Sequence, residues 1–157
     1  MSLSVEVTGM DGMRRFLEEL PEEVMDAVFD EMLVSGKVIE SGAKERARVN
    51  TGKFRASIHA DGDRDELRVT VGTNDIRAAW FEFGTGVYGP RGAPIVIRPK
   101  NGKFLHWIDA NGQHHFAREV VSKGIPAQPY LYPAFEAEKR PMLAAIEAAI
   151  AKALEGS

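Results

Sequence analysis

The chain has 157 residues, of which 44% are apolar and 27% are charged, and its formal net charge is −3. This length suits a single domain and this composition is that of an ordinary globular protein, which excludes a disordered chain or a fibre. With 20 basic against 23 acidic residues and no cysteine, there is no overall basic surface for nucleic acid, no disulfide and no thiolate chemistry. No apolar run is long enough for a membrane span and no signal peptide begins the chain, so we expect no membrane partner.

The first third of the chain has the pattern of one short strand followed by two helices. Alternating apolar residues from Leu3 to Val7 predict a short strand, and Asp11 is placed to cap a helix that ends near Leu20. From Pro21 to about Ala47, apolar residues recur at helical spacing, which predicts one long helix despite two internal glycines. The helical part therefore covers about residues 10–48.

The middle of the chain has the alternation of strands. Apolar residues alternate with polar ones over residues 54–60 and again over 67–71, which predicts an antiparallel hairpin. Residues 75–83 fit both periods, and we favour a short helix. The loop over residues 84–94 has four glycines and two prolines, and three further strands are predicted at 95–97, 103–108 and 115–121, with tight turns at Asn101-Gly102 and Asn111-Gly112.

A final helix is predicted over about residues 130–155, where Pro141 should either kink it or begin it. Strands collected between helices at the two ends predict the α+β class. We expect a mainly antiparallel sheet, over about residues 53–122, packed against a long N-terminal helix and a C-terminal helix. We expect residues 1–157 to form one domain.

Three histidines are the best candidates for a metal site. His106, His114 and His115 flank the predicted turn at Asn111-Gly112, and imidazole is a common zinc ligand. Adjacent residues of a strand point to opposite faces, so at most one of His114 and His115 can join His106. No metal-binding spacing is present either, and we therefore predict no metal and no cofactor.

The segment AAWFEFGTG, residues 78–86, places one carboxylate, that of Glu82, among three aromatic side chains. Such an acid could serve as a proton donor, but neither Asp75 nor Asp109 is spaced to act as its catalytic partner. We therefore predict that Glu82 is a structural hydrogen-bond acceptor. Trp80 and Phe83 are expected to anchor the segment, and the sequence leaves open which of the three aromatic side chains packs into the core and which meets a neighbouring subunit.

Two other stretches invite a functional interpretation. The glycines from Gly84 to Gly92 do not match a phosphate-binding loop, because no Gly-Lys-Ser or Gly-Lys-Thr leads into a helix. Basic residues over 44–55 could contact nucleic acid, but a solvated helix end explains them better. We predict no specific nucleic-acid partner.

Four stretches, taken together and in this order, resemble one protein family. They are VNTGKFRASI (49–58), AAWFEFGTG (78–86), IRPKNGKFLHW (97–107) and GIPAQPYLYPAFE (124–136). The family is that of the neck and tail-completion proteins of long-tailed bacteriophages, which includes head–tail joining proteins and minor tail components. The resemblance covers about residues 10–155.

The resemblance implies a small α+β subunit that is not an enzyme and that assembles as a ring, commonly of six copies, where the tail tube meets the capsid connector. The implied partners are further copies of the chain, the connector and the tail-tube proteins. The implied location is the neck or tail of a phage or prophage virion, reached from the cytoplasm of the bacterial host during assembly.

The resemblance also assigns residues. Structural motif positions match at Thr51, Gly52 and Gly84, and in the segment before the last helix at Pro129, Leu131 and Pro133. The expected partner interface lies in the aromatic segment and the loop after it, with the candidates Trp80, Phe81, Glu82, Thr85, Tyr88 and Arg91.

Two alternatives stay open from the sequence. One is a small metal-dependent or acid–base hydrolase that uses His106, His114 and Glu82. The other is a nucleic-acid-binding module that uses the basic residues over 44–55.

Overall fold

The computed structural model describes residues 3–6, 21–48 and 52–155. The helix predicted from Asp11 to Leu20, and Thr51, lie outside these residues. The chain forms two compact units: a main unit of Met1–Glu82 with Gln128–Ser157, and a hairpin unit of Phe83–Ala127. That the whole chain is one domain stays a prediction.

The main unit is built around one long helix, α1, over Glu22–Arg46, as predicted. It begins after Pro21, whose fixed backbone angle suits a helix start and whose carbonyl accepts from the N–H of Val24. Its buried face recurs at helical spacing and consists of Val24, Val28, Met32, Ser35, Gly36, Ile39 and Ala43. A single helical turn, α2, follows over Lys53–Ala56.

Helix α1 lies against a three-stranded antiparallel sheet. Its strands are β1 over Leu3–Glu6, β2 over His59–Asp63 and β3 over Arg68–Thr73, in the order β1-β3-β2. The β2–β3 pair is the predicted hairpin. Helix and sheet approach so closely that a Cβ on Gly36 would lie 2.6 Å from Cγ1 of Val69.

The prediction that a strand starts at Phe54 is wrong. Phe54 and Ile58 are both buried while Ala56 between them is exposed. A spacing of four residues puts two side chains on one face of a helix, and the hydroxyl of Ser57 donates to the carbonyl of Phe54 at 2.7 Å where the turn ends. The strand therefore starts only at His59.

Two more helices are found in the described part of the main unit, and both were predicted. The short α3 covers Ala78–Phe83, and α4 covers Leu131–Glu155 and packs against α1. Pro141 lies inside α4, so it does not begin that helix. Among the described residues, no helix is both long enough and apolar enough to cross a membrane.

The hairpin unit holds a 3-10 turn over Gly86–Tyr88 and two separate antiparallel ribbons. Strands β4 over Ile95–Ile97 and β7 over Val120–Ser122 form one, and β5 over Leu105–Ile108 and β6 over His114–Ala117 form the other. The turn at Asn111-Gly112 joins β5 to β6 as predicted. The predicted hairpin at Asn101-Gly102 is wrong, because β4 pairs with β7; Pro99, which has no N–H, cannot extend a ladder beyond β4.

The α+β class, the antiparallel pairing and the two long helices are thus confirmed. Within the described residues, the strands form three separate small sheets. Three strands were predicted after residue 94, and the last of them, over residues 115–121, is divided in the structure into β6 and β7.

Candidate functional site

Glu82 caps the C-terminal helix. Its side chain is 6% exposed, and its carboxylate accepts hydrogen bonds from the N–H groups of Tyr130, Leu131 and Tyr132 at 2.9, 3.0 and 2.9 Å. These N–H groups lie at the start of α4, where no carbonyl of the helix can accept from them and the helix dipole favours a negative charge. The carboxylate is thereby committed to structure, as the sequence predicted.

The aromatic residue of α3 that packs into the core is Phe81. Its ring meets that of Phe54 edge to face at 4.9 Å, and Phe54 meets Tyr130 in the same way at 5.2 Å. The carbonyl of Phe81 also accepts from the N–H of Gln128 at 2.7 Å, where the chain returns to the main unit. These contacts fix α3 beside the start of α4.

Trp80 and Phe83, which the sequence analysis expected to anchor the segment, are 44% and 51% exposed, so neither packs into the core. The buried face of α3 is instead formed by Ala78, Phe81 and Glu82, which share one side at helical spacing. The hydrogen bonds of Glu82 to α4 select this face, and they come from residues 48 to 50 positions later in the chain.

The Gly-Thr-Gly turn after α3 is fixed inside the hairpin unit. The N–H of Thr85 donates to the carbonyl of Ile125 at 2.8 Å, and the Thr85 hydroxyl accepts from the N–H of Ile125 at 2.9 Å. A Cβ on Gly124 would lie 2.1 Å from the carbonyl oxygen of Thr85. Thr85 therefore connects two backbone segments, and its role in an interface stays a prediction.

The other predicted residues are placed as follows. Tyr88 is 49% exposed and Arg91 is exposed in the loop before β4. Of the motif positions, Gly52 and Gly84 have positive φ angles of 75° and 73°, Leu131 is buried, Pro133 is half-buried and Pro129 is exposed. Among the interface candidates, Trp80, Tyr88 and Arg91 are thus accessible, as an interface residue must be, whereas Glu82 is buried and Phe81 is half-buried.

Of the three histidines, two come together. Nε2 of His106 lies 2.9 Å from Nδ1 of His114, and their rings stack at 5.1 Å. His115 points to the other side of the hairpin, where it stacks on Trp107 and Nε2 hydrogen bonds to Asp109. Within the described ranges, no group of three or more His, Cys, Asp or Glu side chains could hold a metal ion.

The acids weighed as catalytic partners have structural contacts of their own. A hydrogen bond from the guanidinium of Arg77 lowers the pKa of Asp75 to about 2. Asp109 accepts from His115 and from the N–H groups of Asn111 and Gln113, which together lower the pKa of its carboxyl group. Both carboxylates hold turns in place.

Tyr130 is a core residue that the sequence analysis did not single out. It is fully buried, and its hydroxyl has no hydrogen-bond partner in the described part of the chain. Burial, together with the charges of Glu82 and Asp75, raises the pKa of this hydroxyl. The sequence could have indicated this core position, because Tyr130 comes just before the predicted last helix in GIPAQPYLYPAFE. An apolar residue at that position often packs against the first turns of the helix.

Residues 11–84 match a family model described as "Bacteriophage HK97-gp10, putative tail-component". The matched range is slightly under half of the chain and runs through α1, the β2–β3 hairpin and α3, to Gly84. It contains the first of the four quoted stretches and most of the second. No curated protein and no solved structure matches the chain. The match confirms the predicted resemblance to phage tail components.

Proposed function

Because residues 11–84 carry the pattern of the HK97 gp10-like phage tail components, we propose that this chain is a structural subunit that joins or completes the tail at the head–tail interface. The family match is the observation that carries the proposal, and it supports a structural role in a phage tail. The finer position, at the neck, follows from the wider resemblance over four ordered stretches.

The proposed assembly is a ring of copies, six by analogy with the family, that contacts the capsid connector on one side and the tail tube on the other. The loop between Gly84 and Pro94 supports this idea, because it carries the exposed side chains of Tyr88 and Arg91. Trp80 supplies a further exposed aromatic residue of the kind enriched at interfaces.

Deletion of the gene in the phage or prophage that encodes this chain tests the proposal. We expect filled heads and separate tails to accumulate, and joined virions to return when the wild-type protein is supplied from a plasmid. Electron microscopy of the lysate, with gold-labelled antibody against the protein, should place it at the head-proximal end of the tail. Normal virions from the deletion strain would contradict the proposal.

A second experiment tests the predicted interface residues. Trp80→Ser with Tyr88→Ser should abolish complementation while the purified monomer stays folded by circular dichroism. Ile76→Ser is the matched control, because Ile76 is a similarly exposed apolar residue outside the predicted interface. If the double variant complemented as well as the control, these residues would not form the interface.

A further inference from the structure

One face of the β5–β6 hairpin exposes large apolar side chains to solvent. Phe104, Ile108 and Phe116 are each more than half exposed. Side chains alternate between the two sides of a strand, and the register opposes His106 to Phe116 and Ile108 to His114. The outer face of the hairpin therefore consists of Phe104, His106, Ile108, His114, Phe116 and Arg118.

The side chains of the outer face are held by contacts with one another. The ring of His106 stacks on Phe116 at 4.6 Å and is within hydrogen-bond distance of His114. The guanidinium of Arg118 lies 5.7 Å from the centre of the Phe104 ring. A surface ordered in this way loses little side-chain entropy when a partner covers it.

The size of this face suits a specific interface. Large apolar side chains expose roughly 150 to 250 Å² each when free, so the three at this face leave on the order of 350 Å² of apolar surface in water. A specific interface covers about 800 Å² on each partner, of which slightly more than half is apolar. Phe104, Ile108 and Phe116 supply most of that apolar part, and the histidines and Arg118 supply a polar rim.

Charge indicates which partner fits. The hairpin unit has six basic and two acidic residues, whereas the rest of the chain has 14 basic and 21 acidic residues. Two outer faces placed against each other would bring two basic hairpin units together, which like charges disfavour. An apolar surface with acidic neighbours is complementary, and the main unit has one.

That surface lies on α1. Val34 and Val38 are 58% and 48% exposed and share one side of the helix, a turn apart. Glu31 and Glu45 flank them, three residues before Val34 and seven after Val38. Lys37, which lies between the two valines in the sequence, donates to Glu40 and to the carbonyl of Ala60. Glu31 also lines an open groove between α1 and α4.

We propose that the outer face of the β5–β6 hairpin of one copy binds the Val34–Val38 face of α1 in a second copy. The two surfaces differ, so the contact is head to tail, and such contacts close into a ring when the rotation between copies permits it. This inference deepens the proposed function, on which it rests for the idea of a ring, by naming the surfaces that join the copies.

Sedimentation velocity and native mass spectrometry of the purified full chain test the proposal. The hairpin variant Ile108→Ser/Phe116→Ser and the helix variant Val34→Lys/Val38→Lys should each raise the dissociation constant for self-association at least tenfold. Each variant retains one intact surface. An equimolar mixture should therefore form a dimer of one hairpin variant and one helix variant that adds no further copies. A symmetric contact between like surfaces would not give this mixed dimer.

Arg118→Glu is a second hairpin variant that leaves the apolar side chains in place, and it should weaken association several-fold at low salt and less at high salt. Ile76→Ser is the matched control at an exposed apolar position, and it should self-associate as the wild type does. Circular dichroism must show every variant folded.

Three results would overturn the proposal: a wild-type chain that stays monomeric at its highest soluble concentration in low salt, hairpin variants that associate normally, or a mixture of the two variants that forms no dimer. The proposed function fails separately. Its failure would be a chain that assembles through these surfaces yet is absent from purified tails. If the chain is present in purified tails but neither variant changes its self-association, only this inference is wrong.

Discussion

At the scale of single residues, Glu82 carries most of the local order of the candidate site. It brings a buried charge into the core, which is unfavourable unless hydrogen bonds compensate it. Three N–H groups at the start of α4 supply that compensation. One side chain thus positions both α3, which presents Trp80, and the first turn of the last helix.

Glu82→Gln should lower the free energy of unfolding by about 2 to 3 kcal/mol. The amide keeps one acceptor oxygen but turns an NH₂ group toward backbone donors and removes the charge that the helix start favours. Urea unfolding followed by circular dichroism measures the change. Glu136→Gln is the control, because Glu136 is an exposed acid of α4, the helix that Glu82 caps. This variant should change the free energy of unfolding by less than about 0.5 kcal/mol. Equal stability of the two variants would show that the cap contributes little.

Glu40 should make the stability of the protein depend on pH in the acid range. Burial alone would raise its pKa, but hydrogen bonds from Lys44, Lys37 and the N–H of Ala60 outweigh burial and lower the pKa to about 2, from 4.5. A pKa lowered by folding stabilises the protein above pH 4.5, and this stabilisation is lost as the pH falls toward 2.

The expected loss is on the order of 2 kcal/mol between pH 5 and pH 2, measured by urea unfolding at a series of pH values. Glu40→Gln should flatten this dependence, and a smaller slope should remain because Asp75 also has a lowered pKa. An unchanged slope in the variant would mean that other carboxylates account for it.

At the scale of elements, the two glycines inside α1 should respond to alanine in opposite ways. A Cβ on Gly36 would meet Val69 at 2.6 Å, whereas on Gly42 it would meet the flexible end of Arg46 at 3.1 Å. Alanine favours a helix over glycine by about 1 kcal/mol. We expect Gly42→Ala to be neutral or stabilising and Gly36→Ala to destabilise by about 1 to 3 kcal/mol, because Val69 is a stiff β-branched residue. Thermal unfolding gives the comparison, and equal effects would argue against tight packing of α1 on β3.

The turn after α3 should be equally sensitive at Gly124. Gly124 and Gly112 both have positive φ, at 88° and 79°, but only Gly124 faces a neighbouring carbonyl. Gly112→Ala should cost only the strain of the left-handed conformation, about 1 kcal/mol. Gly124→Ala must also displace Thr85, so the N–H of Val87, which donates to Lys123, should lose hydrogen-exchange protection. Similar protection in both variants would contradict this reading of the turn.

The elements that the sequence predicts best are those whose period holds over many residues. Helices α1 and α4 are of this kind, because each repeats its apolar face over six or more turns. Short segments fit the helical and the strand period at once, and contacts with residues distant in the sequence then determine which structure forms. The five residues from Phe54 to Ile58 and the buried face of α3 were misassigned for this reason. The pairing of β4 with β7 across the whole β5–β6 hairpin was missed as well.

At the scale of the whole molecule, the two units differ in how they are stabilised. The fully buried side chains of the described residues all belong to the main unit, and no side chain between Thr85 and Ala127 is fully buried. A two-stranded ribbon alone is marginally stable in water. The sequence could not reveal this difference, because Ile95, Val96 and Ile97 look like core strand residues and are nevertheless exposed.

Replacement of residues 98–119 by Asn-Gly should therefore leave the main unit stable. Ile97 and Val120 are register partners in the β4–β7 ribbon, so a two-residue turn can join them directly. We expect the free energy of unfolding to change by less than about 1 kcal/mol, since no buried apolar side chain is removed. Chemical unfolding of the shortened chain measures this, and a much larger loss would show that the β5–β6 hairpin stabilises the main unit.

The hydrogen bond from Gln128 to Phe81 and the cap on Glu82 together bring the two ends of the hairpin unit side by side. The hairpin unit is therefore a closed loop inserted between α3 and α4 of the main unit. The entropy of closing a flexible loop grows only with the logarithm of its length, and a doubling costs about 0.6 kcal/mol. A lineage could therefore lengthen, shorten or exchange this insertion at almost no cost in stability, and change what the protein attaches to while keeping the body that carries it.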